Sequence, residues 1–262
     1  MSGISERNHA FLAEMGLAPL WQRRASALMT HEPIAQAETA AAFDGTGSAW
    51  TADPAIMPGM SKAAAMSART IAQMNWAELN NAVSGCTRCG LCKSRRQTVF
   101  GGGDERAKWL FIGNGPSGDD DRQGAIFAGP AGKLLDNMLL TIGLRRGENA
   151  YLTTSVKCRP ADADGRDRLP TAEESEACLP YLQRQIALIE PTVIVALGKT
   201  AALSLLQVDT AEPFSTLRAT VHRYAAVPVI VTYDPAHLLR NPADKRKAWA
   251  DLCLAMTTYA AS

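Results

Sequence analysis

Cys86 and Cys89 form a C-x-x-C pair, while Cys158 and Cys178 stand far downstream with nineteen residues between them. Four thiolates from two distant segments can meet at one centre only if the chain folds back on itself. This pattern therefore restricts the fold before any helix or strand is read. Zinc sites usually draw on tight local pairs or on Cys and His mixtures, and none of the four histidines lies near a cysteine in sequence. Wide, uneven, all-cysteine spacing suits a [4Fe–4S] cluster, which takes four thiolates. The predicted ligands are Cys86, Cys89, Cys158 and Cys178. Cys92 continues the run as C-x-x-C-x-x-C and is a substitute ligand or a bystander. Cys253, on an apolar C-terminal helix pattern, reads as a small buried hydrophobe. A disulfide framework is not expected, because the chain opens without a hydrophobic signal segment and is long enough to build its own core.

With 262 residues, 47% hydrophobic and 20% charged, the chain suits one compact domain with extensions. No apolar run approaches the roughly eighteen residues of a membrane span, so a cytoplasmic protein without membrane contact is expected. The net charge of +1 gives no global basic footprint, and any nucleic-acid binding must rest on local patches.

Three zones follow along the chain. Residues 1–24 hold a short amphipathic segment with Phe11, Leu12, Met15, Leu17, Leu20 and Trp21. Residues 25–69, rich in Ala, Ser, Met, Pro and Gly, read as a flexible linker. The folded domain is expected over 70–262. Trp109–Ile112, closed by Gly113, has the pattern of a buried parallel strand. Ala150–Thr154, Thr192–Leu197 and Val227–Thr232 are further strands. A helix is predicted over Ala131–Thr141. Thr171 and Glu174 have capping-box spacing for a helix bearing Cys178, and Pro242 opens a last helix. Alternating strands and helices imply a mostly parallel sheet covered on both faces, with chemistry at the carboxyl ends of the strands.

The chemistry-bearing motifs fall at those ends. Gly113-Asn114-Gly115-Pro116 follows the first strand and offers exposed backbone N–H groups in a tight turn. Phe127 lies between glycine-rich turns, either a stacking platform for a base or a core residue. Lys157-Cys158-Arg159-Pro160 follows the second strand, and Asp234-Pro235-Ala236-His237-Leu238-Leu239-Arg240 follows the last. Gly198-Lys199-Thr200 ends like a phosphate-binding loop but lacks its opening glycine, so nucleotide hydrolysis is not supported. Gly198 remains a candidate to cradle a DNA phosphate through its N–H. Asp244-Lys245-Arg246-Lys247 reads as a solvated face that, beside Arg240, could touch the DNA backbone.

Taken together, C-T-R-C at Cys86–Cys89, V-F-G at Val99–Gly101, the G-x-G-P turn, F-x-G-P-A-G-x-L-L-D at Phe127–Asp136, V-K-C-R-P at Val156–Pro160 and P-A-x-L-L-R at Pro235–Arg240 resemble the iron–sulfur uracil-DNA glycosylases, family four of their superfamily. The resemblance spans about Trp76 to Met256. It implies a three-layer α/β/α sandwich around a mostly parallel four-stranded sheet, and DNA, single- or double-stranded, as the partner of a monomer. It implies base-binding roles for Gly115, Phe127 and Thr154, with the Phe127 ring stacked on an extruded base. Leu238 matches the minor-groove wedge. The catalytic positions are Asn114, Asp120 and Asp234.

Those positions depart from the family pattern. Asn114 and Asp120 stand where it has glutamates, Thr154 where an asparagine reads the uracil edge, and Asp234 where a histidine serves the leaving group. Loss of one such donor costs roughly 100- to 1,000-fold in rate. An ionised Asp234 adds negative charge beside a leaving anion, unless its pKa is strongly raised or His237 takes over as donor. Asn114 can hold a water but cannot act as a general base. The expectation is a weak or retuned glycosylase acting on uracil or another deaminated base. The alternative is a non-catalytic replication or repair accessory protein. The segment Phe11–Leu17 with Trp21 is similar to the start of the clamp-loader psi subunit, and residues 11–21 would then dock on a clamp-loader or single-strand-binding protein.

Overall fold

A computed structural model describes residues 70–206 and 212–262. The amphipathic segment at 1–24, its proposed docking peptide at 11–21 and the linker at 25–69 lie outside the described residues.

Four strands form a parallel core: β2 (Trp109–Gly113), β3 (Ala150–Thr154), β4 (Val193–Leu197) and β6 (Val227–Thr232). All are buried along their whole length, as strands covered on both faces must be. Two short antiparallel edges extend this expected core to six strands, β1 (Gly102–Gly103) beside β3 and β5 (Val221–Tyr224) beside β6. The order across the sheet is β1-β3-β2-β4-β6-β5. The edges escape a periodicity reading for simple reasons. β1 is two glycines without a hydrophobic pattern, and β5 alternates exposed and half-exposed residues.

Strand alternation divides the core into two layers. Leu110, Ile112, Ile194, Ala196, Val229 and Val231 face α4 (Ala172–Ile189) and α5 (Lys199–Leu206), meeting Leu182, Ile186, Ala202 and Leu205. Trp109, Phe111, Val193, Val195, Leu197 and Ile230 face the other way, toward Leu135 and Leu139 of α3 (Pro130–Thr141) and Ala255 of α8 (Lys245–Ala260). The result is the three-layer α/β/α sandwich. Capping fixes where its helices begin. Thr171 and Glu174 exchange side-chain and backbone bonds at the start of α4, completing a capping box. Asn75 and Glu78 do the same for α1 (Trp76–Ser84).

Register sets the site. Gly113 pairs with Thr154 on one side and Leu197 on the other, and Leu197 pairs with Thr232. All four parallel strands therefore end at one level. The chain leaves β2 for β3 on one flank and later places β4 on the opposite flank. The crevice beyond β2 and β4 is thus a topological switch point, where open α/β sheets bind ligands.

Candidate active site and cysteine cavity

Asn114 is the first residue past β2 and lies in that crevice, 9% exposed. Its Oδ1 accepts the Ala201 N–H at 3.1 Å, at the start of α5, and its Nδ2 donates to Asp234 Oδ2 at 3.0 Å. Gly198, with φ of +104°, leaves room for this amide. A Cβ there would stand 2.6 Å from Asn114 Nδ2, so the close approach requires glycine. The Gly198 N–H is bonded to Thr232 O at 2.8 Å and the residue is buried. Gly198, read from sequence as a phosphate cradle, thus has its N–H committed to Thr232 O here and allows close packing around Asn114.

Asp234 caps α7 (Pro235–Arg240), its Oδ1 accepting the Ala236 N–H at 2.8 Å. Burial raises its pKa, opposed by the backbone N–H groups of Ala236 and His237, by Arg240 and by the Asn114 amide. His237 cannot take over as donor in this arrangement. Its Nε2 meets Asp244 Oδ2 at 2.8 Å, and its ring stacks on Tyr233 at 4.9 Å. Arg218 also lies over Tyr233, its guanidinium carbon 4.3 Å from the ring centroid. Arg218 in turn pairs with the buried Asp251, which also accepts from Thr232 Oγ1 at 2.8 Å. This network, which no local motif announces, fixes the turn that presents Asp234.

Asp120 is buried in α2 (Gly118–Gln123). Its Oδ2 accepts the Ser117 N–H at 3.0 Å and its Oδ1 the Ala128 N–H at 2.7 Å. Asp120, expected as a catalytic position, here ties the helix start to the loop bearing Phe127. Phe127 has φ of +52°, an uncommon conformation for a bulky residue, and its carbonyl accepts from Arg146 at 3.3 Å. Its half-buried ring reaches back over the end of β2, where a Cβ on Gly113 would stand 2.8 Å away. Gly115 is similarly hemmed in, by Val156 and Pro160. Thr154 is buried at the end of β3 and its hydroxyl donates to Val156 O at 2.7 Å.

Leu238, expected as the wedge, is buried in this structure. It is 1% exposed and packs with Leu134 and Ala248, so reaching DNA would cost that packing. The apolar side chain that α7 does expose is Leu239, at 45%, next to the exposed Arg240. Sequence reading missed this because a six-residue helix is too short to declare its buried face.

A second feature lies beyond β3. Cys86, Cys89, Cys92, Cys158 and Cys178 line one cavity, together with Arg88, Arg95, Lys157 and Tyr181. All five thiols are free. Cys86 and Cys89 follow α1, Cys158 follows β3 and Cys178 rides on α4, so folding does bring the two segments together. Among the described residues no three or more His, Cys, Asp or Glu side chains are drawn around a point that would hold a single metal ion. The donor set is nonetheless soft, and cations attend it. Arg95 donates to Cys158 Sγ at 3.0 Å, and the Lys157 N–H donates to Cys178 Sγ at 3.3 Å. Burial pushes the Cys178 thiol up to about 12 and raises Cys158 and Cys89. Such a donor set fits a thiolate-bound cluster, whose cations would stabilise the thiolate form. Cys253 lies on α8 and is not among the lining residues.

A parallel sheet with its crevice at the switch point, a ring and polar pair in that crevice, and a five-cysteine cavity beside it define an α/β domain with a crevice site and a thiol-lined site. Residues 100–253 match the family model described as the uracil DNA glycosylase superfamily. A type-4 uracil-DNA glycosylase of Pyrobaculum aerophilum is 36% identical, covering 69% of this chain and 93% of the relative. Those of Archaeoglobus fulgidus and Thermotoga maritima are 41% and 39% identical, each covering 61% of this chain and 81% and 80% of the relative. The chain belongs to the uracil-DNA glycosylase superfamily, in its type-4 branch.

Proposed function

We propose that this protein is a base-excision repair glycosylase that hydrolyses the N-glycosidic bond of uracil, or of another deaminated base, in DNA, with a weakened site. The observation that carries the reading is the Asn114–Asp234 pair, set in the switch-point crevice beside the Phe127 ring. The similarity to type-4 uracil-DNA glycosylases supports the reaction class. It gives no support to a non-catalytic accessory role.

In this mechanism an extruded base stacks on Phe127. Asn114 retains one amide hydrogen, and Asp234 retains lone pairs, after their mutual bond. Together they can hold a water for attack on the sugar carbon. Ionised Asp234 favours the cationic sugar and accepts a proton from that water, but it opposes the negative charge growing on the departing base. Catalysis is therefore slow relative to a site with a neutral donor at that position. The Thr154 hydroxyl, already donating to Val156 O, offers the base only an acceptor. That loosens discrimination, which bidentate reading would sharpen.

Cys86, Cys89, Cys158 and Cys178 would hold a [4Fe–4S] cluster with a structural role, with Cys92 on the same cavity wall as a bystander. When bound, the cluster supplies cross-linking of α1, the β3 loop and α4. DNA is the macromolecular partner, with Arg240 and Leu239 on the exposed face of α7 contacting it. Among the described residues no helix is long and apolar enough to cross a membrane.

The test is direct. Excess protein is incubated with single-stranded oligonucleotides carrying one uracil, hypoxanthine or xanthine, and freed base is identified by mass spectrometry. Release of uracil, alone or with another deaminated base, is expected. Release of no base by protein carrying its full complement of iron would reject the reading.

A further inference from the structure

Lys157 is 1% exposed, among the largest fully buried side chains of the domain. Its Nζ donates to Thr153 Oγ1 at 2.6 Å and to Thr154 O at 2.7 Å, both at the end of β3. No ion pair with a carboxylate accompanies it among the described residues. Lys157 also lines the cavity with Cys158 and Cys178. A buried ammonium without an anionic partner is costly, and the thiols of the cavity it lines are groups that a bound cluster would hold as thiolates. Its backbone N–H already points to Cys178 Sγ, and Cys158 is the next residue.

The other end of the same short segment lies in the crevice. Ser155 donates from its hydroxyl to Asn114 O, and its N–H donates to Gly113 O at 2.9 Å. Only two residues therefore separate Ser155, which touches the Asn114 backbone, from Cys158, a predicted cluster ligand. Thr153 Oγ1, which receives the ammonium, also meets Phe100 O at 3.2 Å and Gln185 Oε1 at 3.0 Å. These bonds link the Val99–Gly101 loop and α4 to the strand end.

We propose that Lys157 is a positioning residue, a charged strut that transmits occupancy of the cysteine cavity to the Thr154–Ser155 edge of the base crevice. The inference rests on the cluster reading above. With the cluster in place, its negative charge fixes the ammonium, and the ammonium fixes the Thr154 carbonyl. Without it, the ammonium loses its counter-charge and the strand end loosens. No chemical step is assigned to Lys157.

Hydrogen exchange of the full-length protein tests this, with iron content measured on every sample. Lys157→Met keeps the length and apolar stem but deletes the charge. Thr153→Val removes the receiving hydroxyl without approaching a cysteine. Each variant, with iron retained, should exchange roughly tenfold or more faster at the amides of residues 154–156, the size of effect that loss of one charge-assisted hydrogen bond produces. The parent protein stripped of iron by a chelator should show the same local change, with β4 and β6 still protected. Iron-loaded variants that exchange like the parent would overturn the strut. So would an iron-stripped parent with an unchanged β3 end. Parent protein containing no iron as purified would instead overturn the cluster reading itself.

Discussion

At Asp234 one carboxylate caps a helix, accepts an amide and sits largely out of water. Burial favours its neutral form, so the folded chain holds this proton at pH values where the unfolded chain has released it. Between the ordinary carboxylate value and the raised one, the native state binds more protons, and stability must fall as pH rises through that window. Asp234→Asn keeps a good N-cap and removes the titration. The variant should therefore melt at a higher temperature than the parent at neutral pH, with the difference closing toward about pH 4, near the unperturbed carboxylate value. Asp251, also raised by burial, is common to both proteins and cancels. Thermal melts across pH check this. A gap independent of pH would mean that Asp234 does not titrate as described.

Helix α7 shows how much a short element can hide. Leu238 and Leu239 are chemically identical neighbours, yet one is buried against Leu134 and Ala248 and the other is 45% exposed. Leu238→Ala should cost about 2–5 kcal/mol of stability, as core truncations do. Leu239→Ala should stay within about 0.5 kcal/mol while weakening binding to uracil-containing duplex. Denaturant titration and fluorescence anisotropy separate the two, and the opposite ranking would restore Leu238 as the wedge. The long elements were legible for good physical reasons. Strands buried on both faces read as continuous apolar runs from Trp109, Ala150, Val193 and Val227, and the Thr171–Glu174 box marks the start of α4. The spacing of Cys86, Cys89, Cys158 and Cys178 likewise anticipated one shared cavity. The parts that tertiary contacts decide were not legible. The burial of Lys157, the engagement of Asp120 by the Ser117 and Ala128 amides, and the Arg218–Asp251 support of Tyr233 all join residues without local periodicity. Pro242 also begins a 3-10 turn over Pro242–Asp244 rather than the helix itself, which starts at Lys245.

For the whole molecule, the cysteine cavity and the crevice flank the same strand, and each is read by its own signal, iron content for the cavity and base release for the crevice. Serine at Cys86, Cys89, Cys158 or Cys178 should abolish the broad absorption near ~400 nm typical of thiolate-bound clusters. Serine at Cys92 or Cys253 should leave it intact, as iron analysis and visible spectra will report. Equal loss at Cys92 and Cys89 would reassign the ligand set. The crevice, by contrast, carries the claim that this glycosylase is slowed by the groups at 114 and 234. The most direct measurement is the single-turnover rate of uracil excision from single-stranded DNA by iron-loaded protein. The parent is compared with the double variant Asn114→Glu, Asp234→His. The parent should release uracil slowly and the double variant roughly 100-fold faster or more, the scale of restoring one transition-state donor. A parent that already matches or exceeds the double variant would contradict the account.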